Sequence, residues 1–303
     1  MFDVLVIGSG PAGICAAIYA KRAGRDVAII EKVAPGGQLN VIGEIENYPG
    51  FESIEGPELA SKFVEHAKSF DIPFLYDEVV NIEFVGNVKN VICNGQTYQA
   101  YSVILALGSN CRELGIEGED RLKGSGVSYC AICDGRFFKG KNVAVVGSGD
   151  SAISDAVYLS SLCDKVYLLT KPSLKMYNYT LNDITSEQNI SLLQGAISKK
   201  IEGQNQVESL TYVKDGKEEI LKVDGIFVAV GRKPDTEFLS EKIKLDNAGY
   251  IIVDENMQTS IEGVYACGNV VQGNLKQISI AVGQGAIAGT SASKYALKQK
   301  LTK

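Results

Sequence analysis

Two cysteines three residues apart, followed at once by an aspartate, stand in the stretch CAICDG at 130–135. Cys130 and Cys133 are close enough to form a reducible ring, and in such a pair one thiol ionises readily. Zinc is a competing use, but it needs a second pair of soft ligands. The sole histidine is His66, and no other cysteine lies within 18 residues of the pair. Two buried structural thiols are the other competing reading. A redox-active dithiol fits best. A leaving thiolate must receive a proton, and with no histidine nearby Asp134 is the obvious donor. A carboxyl group that is partly desolvated holds its proton towards neutral pH. The alternative role for Asp134 is to cap the turn at Gly135.

Composition narrows the class of protein that carries this dithiol. A chain of 303 residues suits about two domains. With 45% apolar residues, 22% charged residues and 32 glycines, it describes a globular enzyme rich in tight turns. The net charge is −6, with no basic stripe or block of like charge, so no nucleic-acid partner is expected. No apolar run approaches the ~18–20 residues of a membrane span, so no membrane partner is expected either. The first strand starts at residue 2, which leaves no room for a signal peptide, and the expected location is cytoplasmic. Seven scattered cysteines, an odd number, argue against a structural disulfide framework. Cys15 and Cys267 read as small core residues.

The elements that must position the chemistry come in two similar segments, residues 2–31 and 141–170. Each reads as an apolar strand, a G-x-G-x-x-G/A turn, an amphipathic helix and a second apolar strand, which is the βαβ unit that binds dinucleotides. Gly8 and Gly147 suit the tight turn, and Gly10 and Gly149 let a pyrophosphate approach the backbone. Gly13 and Ala152 let helix and strand pack closely. Glu31 lies 23 residues after Gly8, where an acidic residue reads a ribose; the same count from Gly147 ends on Thr170. Buried strands at 101–109 and 223–234 end at glycines and read as the chain's crossings between domains. A helix is expected over about 277–297, and meander hairpins over 78–100 and 206–222, the latter turning at Asp215–Gly216. The fold class is therefore α/β, with two Rossmann-like (three-layer ββα) nucleotide-binding domains, the second inserted in the first. The first domain is assigned 1–113 plus 242–303, and the second 114–241.

These segments together resemble the low-molecular-weight thioredoxin reductase family over essentially the whole chain. The resemblance rests on GSGPAG (8–13), GGQLN (36–40), ENYPG (46–50), CAICDG (130–135), GSGDSA (147–152), VAVGRKPDT (228–236) and the GVYACGNV segment from 263. A CxxC in the second domain is specific to this family. The resemblance implies FAD in the first domain, with Gly8, Gly10, Pro11, Ala12 and Gly13 at its pyrophosphate and Glu31, beside Lys32, at its adenosine ribose. It places Gly37, Gln38, Leu39 and Asn47 along the ring and ribityl region. Gly268 and Asn269 fall at the ribityl chain, and Lys276, Gln277 and Ile278 at the flavin edge. The family more often has Asp where Asn269 stands. Cys133 is implied to contact the flavin and Cys130 to attack the disulfide of thioredoxin, with the inserted domain rotating about hinges near 111–118 and 232–242. A homodimer is implied as well.

The electron donor is where the sequence departs from that pattern. NADPH-dependent members have arginines at the places of Lys171, Pro172 and Met176, and this chain keeps one cation at those sites, with Lys175 adjacent. Losing two charge-assisted bonds of about 1.5–3 kcal/mol each would weaken NADPH by about 3–6 kcal/mol. NADPH is thus disfavoured, and reduced ferredoxin, used by a subgroup of the family, is the expected donor. The alternatives are an NADPH-dependent thioredoxin reductase, a flavin-dependent thiol oxidase and a small-disulfide reductase.

Overall fold

The structure is a computed structural model. It describes residues 1–174, 184, 187–239, 241–273 and 275–302. The chain divides into two compact units, 1–110 with 233–303, and 111–232. The sequence placed the edges of the second at 114 and 241. The segment 233–241 belongs instead to the first unit, because Leu239 is fully buried in that unit's core and Phe238 packs on it.

The first unit is built on a seven-stranded sheet. Its parallel part orders the strands Phe74–Tyr76, Val27–Glu31, Phe2–Ile7 and Thr97–Leu105, with Val264–Ala266 also on Thr97–Leu105. The central strands are almost wholly buried, as expected where both faces of a parallel sheet are covered. Val88–Cys93 and Val79–Val85 extend the sheet antiparallel. Val88–Cys93 alternates buried and half-buried residues, the period of a strand with one packed face. The helices Pro11–Arg22 and Ile278–Leu301 pack on one face of this sheet. They approach closely at Gly285 and Gly289, where a Cβ would lie 2.3 Å from the carbonyl oxygens of Ala12 and Ala16. The last helix begins at Ile278 as the sequence suggested but runs on to Leu301.

The second unit repeats the parallel design in five strands, ordered Val127–Ser128, Gly225–Val228, Asn142–Val146, Lys165–Thr170 and Ile190–Gln194. The helix Asp150–Ser160 packs Ile153, Ala156 and Leu159 into its core. A three-stranded antiparallel sheet, Ile197–Glu202, Ser209–Lys214 and Lys217–Lys222, completes it. Its hairpin turns at Asp215 and Gly216, both at positive φ (50° and 77°), the two-residue turn that matches strand twist. Among the described residues no helix is long and apolar enough to cross a membrane.

Candidate active site

Cys130 and Cys133 form a disulfide, with Cα atoms 5.3 Å apart. The local chain accounts for the pairing. Cys130 is extended (φ −148°) and caps the one-turn helix Ala131–Asp134. Its sulfur accepts a hydrogen bond from the Cys133 N–H at 3.2 Å, and its carbonyl accepts one from the Asp134 N–H at 3.1 Å. The turn thereby brings the two sulfurs and the carboxyl group together within five residues.

Ser128, which the sequence reading did not single out, ties this group to the sheet. It is 6% exposed. Its hydroxyl accepts the Cys130 N–H at 3.1 Å and donates to Asp134 Oδ2 at 2.6 Å. Burial holds the half-buried Asp134 carboxyl above the usual carboxylate range, and the Ser128 bond pulls it partly back. The capping alternative for Asp134 fails, because its side chain makes no cap bond to the Gly135–Phe138 turn. The only sequence signal for Ser128 was a hydroxyl residue two positions before Cys130, where such side chains bond the backbone two residues on. Among the described residues no three His, Cys, Asp or Glu side chains gather as metal ligands.

The first unit forms a glycine-rich cradle between Phe2–Ile7 and the Pro11–Arg22 helix. A Cβ on Gly13 would lie 2.0 Å from the Gly8 carbonyl oxygen, so glycine is required for the close turn. Above Gly10 nothing lies within 4 Å of a Cβ position, and no side chain caps this helix, whose first position is Pro11. Ala12 begins the run that packs the helix on the sheet. The helix N-terminus is thus open to a phosphate. At the end of Val27–Glu31, the Glu31 carboxylate accepts the Ser9 N–H at 3.0 Å, the Ser9 hydroxyl at 2.5 Å and the Val33 N–H at 3.0 Å. Four lone-pair sites less three bonds leave one acceptor site for a ribose hydroxyl. Lys32 instead forms an exposed ion pair with Asp235 at 3.2 Å.

The other flavin-side residues from the sequence form a polar network in the same unit. Gln38 donates to the Ser109 carbonyl and accepts from Asn269 Nδ2 at 3.2 Å. Asn47 donates to Gln277 at 3.2 Å, and the Gly268 N–H donates to Gln284 at 2.8 Å. Lys276 donates to the Val271 carbonyl and lies over the Tyr250 ring, 4.6 Å from its centroid. Gly37 sits beside Gly10. Leu39 differs from the rest: its side chain is 1% exposed and packs with Ile45, Ile54, Leu59 and Ala60. Ile278 packs on that same small core.

The second unit repeats the cradle without its acidic end. A Cβ on Gly147 would lie 2.3 Å from the Ala229 carbonyl oxygen, and Ala152 is fully buried beside it. Gly149 has open space and the helix it caps has no side-chain cap. The Lys171 N–H donates to the Ser148 hydroxyl at 2.8 Å. Thr170 takes the place of Glu31; it is 1% exposed, and among the described residues its hydroxyl oxygen has no hydrogen-bond partner. Lys171 is exposed, while Lys175 and Met176 lie outside the described residues. Burial pushes the Cys15 thiol up to about 11 and Cys267 further up, consistent with unreactive core residues.

The family model that matches, described as pyridine nucleotide-disulphide oxidoreductase, covers residues 2–285. The chain is 39% identical to a thioredoxin reductase of Listeria monocytogenes, over 99% of this chain and 96% of that protein. The crystal structure of a thioredoxin reductase from Streptococcus pyogenes matches with a TM-score of 0.92 and 40% identity, covering 99% of both chains. A ferredoxin-flavin thioredoxin reductase from Clostridium acetobutylicum matches with a TM-score of 0.53 and 32% identity, over 100% of this chain and 99% of that one.

Proposed function

The chain belongs to the pyridine nucleotide-disulphide oxidoreductases, in the thioredoxin reductase family, and from that premise we propose that it reduces the disulfide of thioredoxin through Cys130 and Cys133. The observation that carries this reading is the closed Cys130–Cys133 disulfide beside a carboxyl group that burial disposes to hold a proton.

The residues account for the proton traffic. In the reduced protein the Cys130 thiolate attacks one sulfur of the substrate disulfide. That S–S bond breaks, a mixed disulfide forms, and the departing substrate thiolate takes the proton of Asp134. Cys133 passes its own proton to the Asp134 carboxylate and attacks the Cys130 sulfur. The Cys130–Cys133 disulfide re-forms, and the second substrate sulfur leaves with the proton from Asp134. Two electrons and two protons have then passed to the substrate. FAD, when bound and reduced by the electron donor, would supply the two electrons that reopen the disulfide. The Gly8–Gly13 cradle and Glu31 fit its pyrophosphate and ribose, and Gln38, Asn47, Asn269, Lys276 and Gln277 offer the remaining polar contacts.

The proposed donor is NADPH. The second cradle keeps Gly147 and Gly149 in working geometry, the family is named for pyridine nucleotides, and the thioredoxin reductases from Listeria and Streptococcus are more similar than the ferredoxin-flavin enzyme. These points favour NADPH over the ferredoxin donor expected from the sequence. Ferredoxin remains the second reading on one observation: a neutral, buried Thr170 followed by the exposed Lys171 gives a 2′-phosphate little to hold among the described residues. A cytoplasmic homodimer completes the proposal. The test is anaerobic: oxidised protein is mixed with NADPH, NADH or reduced ferredoxin while the flavin absorbance near 450 nm and thioredoxin thiols are followed. Bleaching by NADPH with thioredoxin reduction supports the reading. Bleaching by ferredoxin alone overturns the donor, and no thioredoxin reduction from any donor overturns the function.

A further inference from the structure

We propose that Ser128 is a positioning residue of the dithiol site, holding the Asp134 carboxyl and the Cys130 backbone so that the proton sits where a departing thiolate can take it. The proposal rests on the reading above that Asp134 is the proton donor. Its basis is geometric. One buried hydroxyl makes both contacts, accepting the Cys130 N–H at 3.1 Å and donating to Asp134 Oδ2 at 2.6 Å. Ser128 belongs to the strand Val127–Ser128, paired to Gly225–Val228, so it is anchored in the sheet while the cysteines lie on a single turn. A hydroxyl that donates to a carboxyl oxygen favours the ionised form. Ser128 thus opposes the effect of burial and keeps Asp134 able to give its proton up as well as to hold it.

Other titratable groups lie on the elements next to this turn. The two thiols share its turn, and Arg136 lies on the next one. On the Asp150–Ser160 helix, Tyr158 packs against Gly135. Asp155 stands one turn earlier on the same helix face; burial raises it to about 6, which makes it the rival source of any carboxyl titration here. Among the described residues, the Val127–Ser128 strand brings the Ser128 hydroxyl.

The test uses reduced holoprotein freed of dithiothreitol, with the rate of iodoacetamide alkylation of Cys130 followed against pH. Ionisation of a carboxyl beside the thiols shows as a step in this profile, shared among the coupled groups. We expect Asp134→Asn to abolish the step, Ser128→Ala to move it to higher pH, and Ser128→Thr, which keeps the hydroxyl, to leave it in place. In the Asp134→Asn background Ser128→Ala should change nothing further. An unmoved step in Ser128→Ala, an equal change in the Asp134→Asn background, a displaced step in Ser128→Thr, or a wild-type step that survives Asp134→Asn would each overturn the proposal. Should the alanine variant fail to fold, Ser128→Val, which has the shape of the threonine variant without its hydroxyl, takes its place: a step moved to higher pH relative to Ser128→Thr supports the proposal, and an unmoved step overturns it. Thioredoxin is absent from this measurement, so a wild-type protein that fails to reduce thioredoxin refutes the proposed function separately.

Discussion

Gly149→Ala separates the two electron donors through one methyl group. Nothing lies within 4 Å of the added Cβ, and the backbone there, φ −119° and ψ 177°, is open to alanine. Alanine caps a helix less well than glycine, by about 0.5–1 kcal/mol. It also restricts the unfolded chain, a gain of about 0.4–1 kcal/mol. The two nearly cancel, so Tm should move by less than about 4 °C. The same methyl occupies the space a pyrophosphate must enter. Loss of one charge-assisted bond costs about 1.5–3 kcal/mol, so Kd for NADPH should rise about 10- to 150-fold. Gly147→Ala is the contrast: its Cβ would lie 2.3 Å from the Ala229 carbonyl oxygen, and such overpacking costs about 1–3 kcal/mol of stability. Calorimetric titration with NADPH and the rate of flavin bleaching are the measurements. An unchanged Kd in Gly149→Ala, or a physiological donor whose electron delivery ignores the substitution, refutes the cradle as the donor's site.

Further outcomes follow from the same geometry. Asp134→Asn should slow thioredoxin reduction about 10²–10⁴-fold, measured by steady-state kinetics. It should also raise Tm at neutral pH. A carboxyl whose folded pKa is raised holds more protons when folded, so stability falls as pH rises through the window between its unfolded and folded values, and asparagine escapes that cost. Cys130→Ser should retain flavin bleaching by the donor yet reduce no thioredoxin; thioredoxin reduction by this variant sinks the thiol assignment. Glu31→Gln sets an amide donor against the Ser9 or Val33 donors and should weaken FAD about 10-fold or more, one charged bond of about 1.5–3 kcal/mol, read as flavin lost on dialysis. Lys171→Ala, at an exposed site, should weaken NADPH by less than about tenfold and leave NADH unaffected.

The cysteine pair, the aspartate that follows it and both glycine-rich cradles were legible in the sequence, because each is confined to a strand, a turn and a helix within about 30 residues, where spacing dictates geometry. Contiguity also made Glu31 and the vacancy at Thr170 countable along the chain. Tertiary structure alone decided what those residues touch. Asn269 meets Gln38 from 231 positions away, and Lys32 meets Asp235 from 203. Leu39 turned into a core cluster, and 233–241 joined the first unit because Phe238 and Leu239 found their apolar partners there. Ser128 shows the division within a single residue. Its position near Cys130 is local, but its hold on Asp134 depends on a sheet strand anchoring one end of the turn. Spacing fixes short-range geometry by covalent constraint, whereas burial and pairing across the chain are set by which distant surfaces exclude water together.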